Sequence, residues 1–126
     1  MENKDPMLLS FVNIANTTSL EIGVTLSVNG TVVSGNLISY TSYLKLLAEE
    51  FKGKGNVADV FSQSFIDTAT QAERVLNEME DDEIKPANYL HLKEATIFNG
   101  QQTKIGLWRC SISSVNGFTF GILQNS

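Results

Sequence analysis

The chain has 126 residues, 42% of them apolar, and a net charge of −5, enough length and apolar content for one domain with a real core. Its single cysteine excludes an intrachain disulfide and fits a reducing compartment, and no run of about 18 apolar residues is present to span a bilayer. Residues 39–88 hold five basic against ten acidic side chains, and the remainder holds four of each, so no basic patch is available for a polyanion.

The first stretch, MENKDPMLLSFVNIA, lacks the basic region, long apolar core and small-residue cleavage site of a signal peptide, so a cytoplasmic protein is expected. Asp5-Pro6 pairs a good N-cap with a residue suited to the first helical position. Leu8, Phe11, Val12 and Ala15 then recur at helical spacing, which predicts a helix over 6–17. Leu20, Ile22, Val24, Leu26 and Val28 alternate with polar or small residues up to Asn29-Gly30. A period of two ending in Asn-Gly predicts a hairpin with a type I′ turn. That register sets Leu26 opposite Val33, Ile22 opposite Leu37 and Val24 opposite Gly35, and Gly35 in mid-strand marks a bend or a close backbone approach.

Tyr40, Tyr43, Leu44, Leu47, Ala48 and Phe51 follow helical spacing and stop at Gly53-Lys54-Gly55. Asn56 is expected to cap a longer helix whose apolar stripe is Val57, Val60, Phe61, Phe65, Ala69, Ala72, Leu76 and Met79, ending in the acidic run Glu78–Glu83. YLHLKEATIF, residues 89–98, reads as a strand, and Asn99-Gly100 opens a polar turn. A second hairpin is expected over Lys104–Gln124, turning at Asn116-Gly117. It would pair Ile112 with Gly121, Cys110 with Leu123, Val115 with Phe118 and Ser113 with Phe120. Both of its faces are partly apolar, so both should be covered, one of them by a helix or a partner chain.

The expected fold is α+β: one domain over 1–126 with a five-stranded, strongly bent antiparallel sheet. An N-terminal helix and first hairpin occupy 5–39, a two-helix acidic insert between strands 2 and 3 occupies 40–86, and three strands occupy 88–124. VTLSVNGTVVSGNLIS resembles the first two strands of the Sm-like small barrel, YLHLKEATIF the third, and the C-terminal stretch the last two.

The inventory of reactive groups is short. His91 and Cys110 are the only residues of their kinds. They could form a nucleophile–base pair, but no third group stands out to orient the imidazole, and a half-buried His with a small core thiol is the simpler reading. The run Glu78–Glu83 lacks the spacing of a calcium loop, and Gly53-Lys54-Gly55 lacks the strand and helix context of a phosphate loop. No catalytic, cofactor or metal site is therefore expected. Trp108, Phe118 and Phe120 could stack on bases, though in strands they are more often core or interface. An Sm-like RNA binder would contact RNA before the third strand and at an Arg-Gly turn between the last two. Here those places hold the acidic insert and Val115-Asn116-Gly117.

The stretches SLEIGVTLSVNGTVVSGNLIS, YLKLLAEEF, LHLKEATIFNG and LWRCSISSVNGFTFG together resemble, in this order, gas-vesicle accessory proteins of the GvpU type. The resemblance implies a bacterial, cytoplasmic, non-enzymatic factor associated with gas vesicles, linked to vesicle clustering through self-association. Its expected partners are itself, as a homo-oligomer, and the vesicle shell protein, with no nucleic acid and no membrane. The apolar end of the chain, Phe118–Leu123, free of charge and proline, is the expected strand donor, with Val115, Phe118, Phe120 and Ile122 as contact residues. The alternative is an Sm-like nucleic-acid-binding module.

Overall fold

A computed structural model describes residues 3–80 and 85–123. The chain divides into two compact units, one formed by residues 1–39 with 86–126 and the other by residues 40–85.

The first unit is a helix on a five-stranded antiparallel sheet. Helix α1 (Pro6–Thr18) begins where the Asp5 carboxylate accepts hydrogen bonds from the backbone N–H groups of Met7 (2.9 Å) and Leu8 (3.4 Å). It ends at Ser19, which turns left-handed at φ 65°. Strands β1 (Ile22–Val28) and β2 (Thr31–Ile38) form the first hairpin, with Asn29 at φ 50° and Gly30 at φ 87°. Positive φ at both central residues is the requirement that Asn-Gly meets. The ladder pairs Leu26 with Val33, Val24 with Gly35 and Ile22 with Leu37, the register read from the sequence.

Strand β3 (Tyr89–Phe98) pairs with β2 and with β4 (Gln102–Ser111). The β3–β4 turn contains Asn99-Gly100, with Gly100 at φ 94°. Both ladders of β3 shift register near Glu94, a non-glycine residue at φ 53°. This bulge explains Gly35. A Cβ on Gly35 would lie 3.0 Å from Ala95 Cα and 3.1 Å from the Lys93 carbonyl oxygen, so only glycine lets β2 pass the bulged strand.

The second hairpin does not form as expected. β4 ends at Ser111, a 3-10 turn follows at Ile112–Ser114, and β5 (Val115–Phe120) pairs with β1 instead of folding back on β4. Asn116-Gly117 lies inside β5, and Phe118 faces Leu26 while Phe120 faces Val24. The pairings Ile112–Gly121, Cys110–Leu123, Val115–Phe118 and Ser113–Phe120 are thus replaced. The reason is burial. Ile112 and Val115 both enter the core, whereas three apart in a straight strand leading to a turn at Asn116-Gly117 they would point to opposite faces, and turn propensity of about a kcal/mol yields to two buried aliphatic side chains. The Asn116 amide oxygen accepts a hydrogen bond from the Asn29 backbone N–H at 2.7 Å, so it braces the first hairpin turn.

The strand order is β4-β3-β2-β1-β5, and the sheet is not closed. Leu8, Val12 and Ala15 of α1 pack with Val24, Leu26, Val33, Leu37, Leu90, Leu92 and Ile112 in one core.

The second unit is a helical hairpin of α2 (Tyr40–Phe51) and α3 (Asn56–Glu78). The Ser62 hydroxyl donates to the Ala48 carbonyl at 2.8 Å, and Phe51 meets Phe65 edge-on with centroids 5.4 Å apart. Asn56 is not a cap but the first helical residue. The cap is Gly55, and Asp59 instead accepts from the Gly53 N–H at 2.8 Å. Of the expected stripe on α3, Ala69 is buried, but Val57 and Val60 are 71% and 69% exposed. The 23 residues of α3 span about 35 Å against about 18 Å for the 12 of α2, so α2 cannot cover all of α3.

Candidate interaction surface

β5 is one edge of the sheet and β4 the other. Among the described residues β5 pairs only with β1. It carries no charged residue and no proline. Natural edges are commonly guarded by Lys, Pro or a bulge. β4 has charged guards, Lys104 and Arg109, and a kink at Gly106 (φ 79°), whereas the guard on β5 is a bulge at Asn116 near its start, with Gly117–Phe120 left regular and uncharged. Beside β5, an apolar strip continues onto α1. Met7, Phe11 and Ile14 follow one another at i, i+4 and i+7, a helical face next to the buried one. The Phe11 ring meets Phe120 edge-on, centroids 4.8 Å apart, and Phe120 meets Phe118 at 5.6 Å.

The four residues expected at the contact do not form one face. Val115 is 8% exposed and belongs to the core, and Phe118 packs partly against it. Phe120 is 43% exposed and stands on the α1 side of the sheet, since its ladder partner Val24 is a core residue. Gly121, at φ 106°, ends the strand and sends the chain across the other side of β1. There the Gly121 N–H donates to the Gly23 carbonyl (2.8 Å), the Thr25 hydroxyl to the Gly121 carbonyl (2.9 Å) and the Leu123 N–H to the Ser34 hydroxyl (2.8 Å). Ile122 lies over Gly23, where a Cβ would stand 2.9 Å from Ile122 Cγ1. Phe120 and Ile122 therefore point to opposite faces. The α1 contribution of Met7 and Ile14 escaped the sequence reading, although the i, i+4, i+7 spacing was there to be read.

His91 and Cys110 are not brought together. His91 pairs with Arg109 across the β3–β4 ladder and Cys110 with Leu90, the next position along, so the two side chains sit on opposite faces of the sheet. The Arg109 Nε–H donates to His91 Nε2 at 3.1 Å, and the guanidinium covers the Tyr89 ring at 4.0 Å. Burial, and then the Arg109 charge, push the pKa of His91 down to about 4. The Cys110 thiol donates to the Ser111 carbonyl at 3.2 Å, and burial raises its pKa, the opposite of what a nucleophile needs.

Trp108 packs on the core. Glu78 is the last residue of α3, while Asp81, Asp82 and Glu83 of the acidic run lie outside the described residues. Among the described residues no three His, Cys, Asp or Glu side chains group as a metal site. Gly53-Lys54-Gly55 serves as the α2–α3 connector, next to a surface groove of about 470 Å³ with Lys52, Asp59 and Gln63 in its wall.

The family model for gas vesicle protein GvpU-like matches residues 5–123, nearly the whole chain. The chain belongs to the GvpU-like family. That membership makes it a gas-vesicle-associated protein, in a family not known for catalysis. No curated protein and no solved structure matches it. No helix among the described residues of this GvpU-like chain is long and apolar enough to cross a membrane.

Proposed function

We propose that this chain is a non-enzymatic cytoplasmic accessory factor that self-associates and thereby modulates gas-vesicle assembly or clustering, with the vesicle shell protein as its second partner. Family membership supplies the vesicle context. The observation that carries self-association is the uncharged edge strand β5, lined by the half-exposed Phe120. A free strand edge offers backbone donors and acceptors to another strand, and uncharged aromatic rings beside it lose little on leaving water. Two units then divide the work. The neutral sheet unit supplies the contact, and the acidic helical unit carries the net negative charge away from it in sequence.

Light scattering on the pure protein over a wide concentration range, together with co-sedimentation with purified vesicles, tests this reading. Phe120→Lys is expected to abolish association while leaving the monomer folded, because Phe120 rests on Phe11 at the surface and does not enter the core. A strict monomer at every concentration, or a Phe120→Lys variant that associates like the parent, overturns it.

A further inference from the structure

Resting on the self-association reading, we infer that the partner of β5 is the β5 edge of a second copy, joined antiparallel about a two-fold axis perpendicular to the sheet. Charge selects this occupant. The edge and its flank, Met7, Phe11 and Ile14 on α1 with Phe118, Thr119 and Phe120 on β5, carry no charge at all. A surface that meets itself across a two-fold places every residue near its own copy or a close neighbour, so a charged patch would face like charge and an uncharged apolar one would not. The other edge of the sheet, β4, presents Lys104 and Arg109 and matches β5 poorly in charge.

Geometry narrows the register. An axis perpendicular to the sheet keeps each residue on its own face, so a residue can oppose only residues an even number of positions away. β5 runs from Val115 to Phe120 and is ended by Gly121. A ladder centred on Phe118 obeys the face rule and uses the regular residues beyond the bulge at Asn116, where the register of β5 on β1 shifts. It sets Phe118 against its own copy and Thr119 against Gly117 of the second copy. The two Thr119 residues become diagonal neighbours, about 7–8 Å apart. The same axis places both α1 helices on one side of the doubled sheet, so their apolar flanks meet across the seam. The two open sheets become one of ten strands.

The experiment uses the full chain. Thr119 is exposed and points away from the core, so it can be charged without touching the packing. Thr119→Lys and Thr119→Glu are each expected to weaken association at least tenfold in sedimentation equilibrium, and an equimolar mixture of the two is expected to restore it. Circular dichroism and thermal melting confirm that both variants fold. As a second readout, Thr119→Cys in a Cys110→Ser background should give a covalent dimer with a short bismaleimide linker. Variants that associate like the parent, opposite effects of Lys and Glu, a mixture that fails to recover, or no covalent dimer would each overturn the two-fold pairing and leave self-association itself standing. A parent chain that is monomeric throughout overturns both.

Discussion

The two units of this chain are held by different physics. The sheet unit is neutral and closes a continuous core in which Leu8, Leu37, Leu90, Leu92 and Ile112 are removed from water entirely. The helical unit carries the whole net charge, and among the described residues its buried apolar side chains are Leu44, Ala48 and Ala69. A side chain of that kind stabilises in proportion to the apolar area it hides, so two alanines and a leucine hold far less than five large aliphatics. The sheet unit is the rigid platform on which an interaction edge can be presented. The helical hairpin is held by small contacts, the Ser62–Ala48 hydrogen bond, the Phe51 ring contacts and the Lys45–Glu73 ion pair.

The sharpest way to break this contrast is Gly35→Val. Its side chain would have to displace the backbone of the β3 bulge, not a flexible neighbour, and a loss of about 3 kcal/mol or more is expected in urea unfolding of the sheet unit. A near-neutral Gly35→Val would show that the bulge does not hold the two strands as described.

Acid should act on the sheet unit through His91. Its folded pKa of about 4 lies below its ordinary 6.5, so the unfolded chain binds the proton first as pH falls. Stability contributed by neutral His91 is complete above about pH 6.5, declines between 6.5 and 4, and is gone below 4, a total of up to about 3 kcal/mol. Urea midpoints at pH 7 and pH 5 read this, and His91→Gln should flatten the dependence. An unchanged slope in that variant assigns the acid sensitivity elsewhere.

Asp5→Ala removes the carboxylate that caps α1 and should cost about 1 kcal/mol, with Asp5→Asn recovering most of it. Melting temperatures of the three proteins decide. The smallest effect belongs to the helical unit. Val60→Ser, on the exposed side of α3, should change stability by no more than about 0.5 kcal/mol. A loss above 2 kcal/mol would mean that α3 is covered on this side and that the contrast between the units is too strongly drawn.

Local chemistry was legible wherever a short stretch decides its own conformation. Asp5-Pro6 announced α1, Asn29-Gly30 with its alternating flanks set the β1–β2 register to the residue, and Gly35 signalled a close approach that the bulge at Glu94 explains. Asn116-Gly117 carried the same dipeptide signal as Asn29-Gly30 and became part of a strand. The difference lies in the flanks. A straight strand turning there would have pointed Ile112 and Val115 to opposite faces, whereas the 3-10 turn carries both inward and delivers β5 to β1. The interaction surface follows from that switch, because Phe120 meets Phe11 of α1 only when β5 lies beside β1.

The sequence by itself thus determined the elements as far as β3, the first hairpin and the family, since these depend on neighbours within a few residues or on the order of motifs. Only the tertiary structure decided the partner of β5, the separation of His91 from Cys110 and the exposure of α3. Each of these turns on which distant surfaces compete to be buried, a quantity that no local pattern encodes.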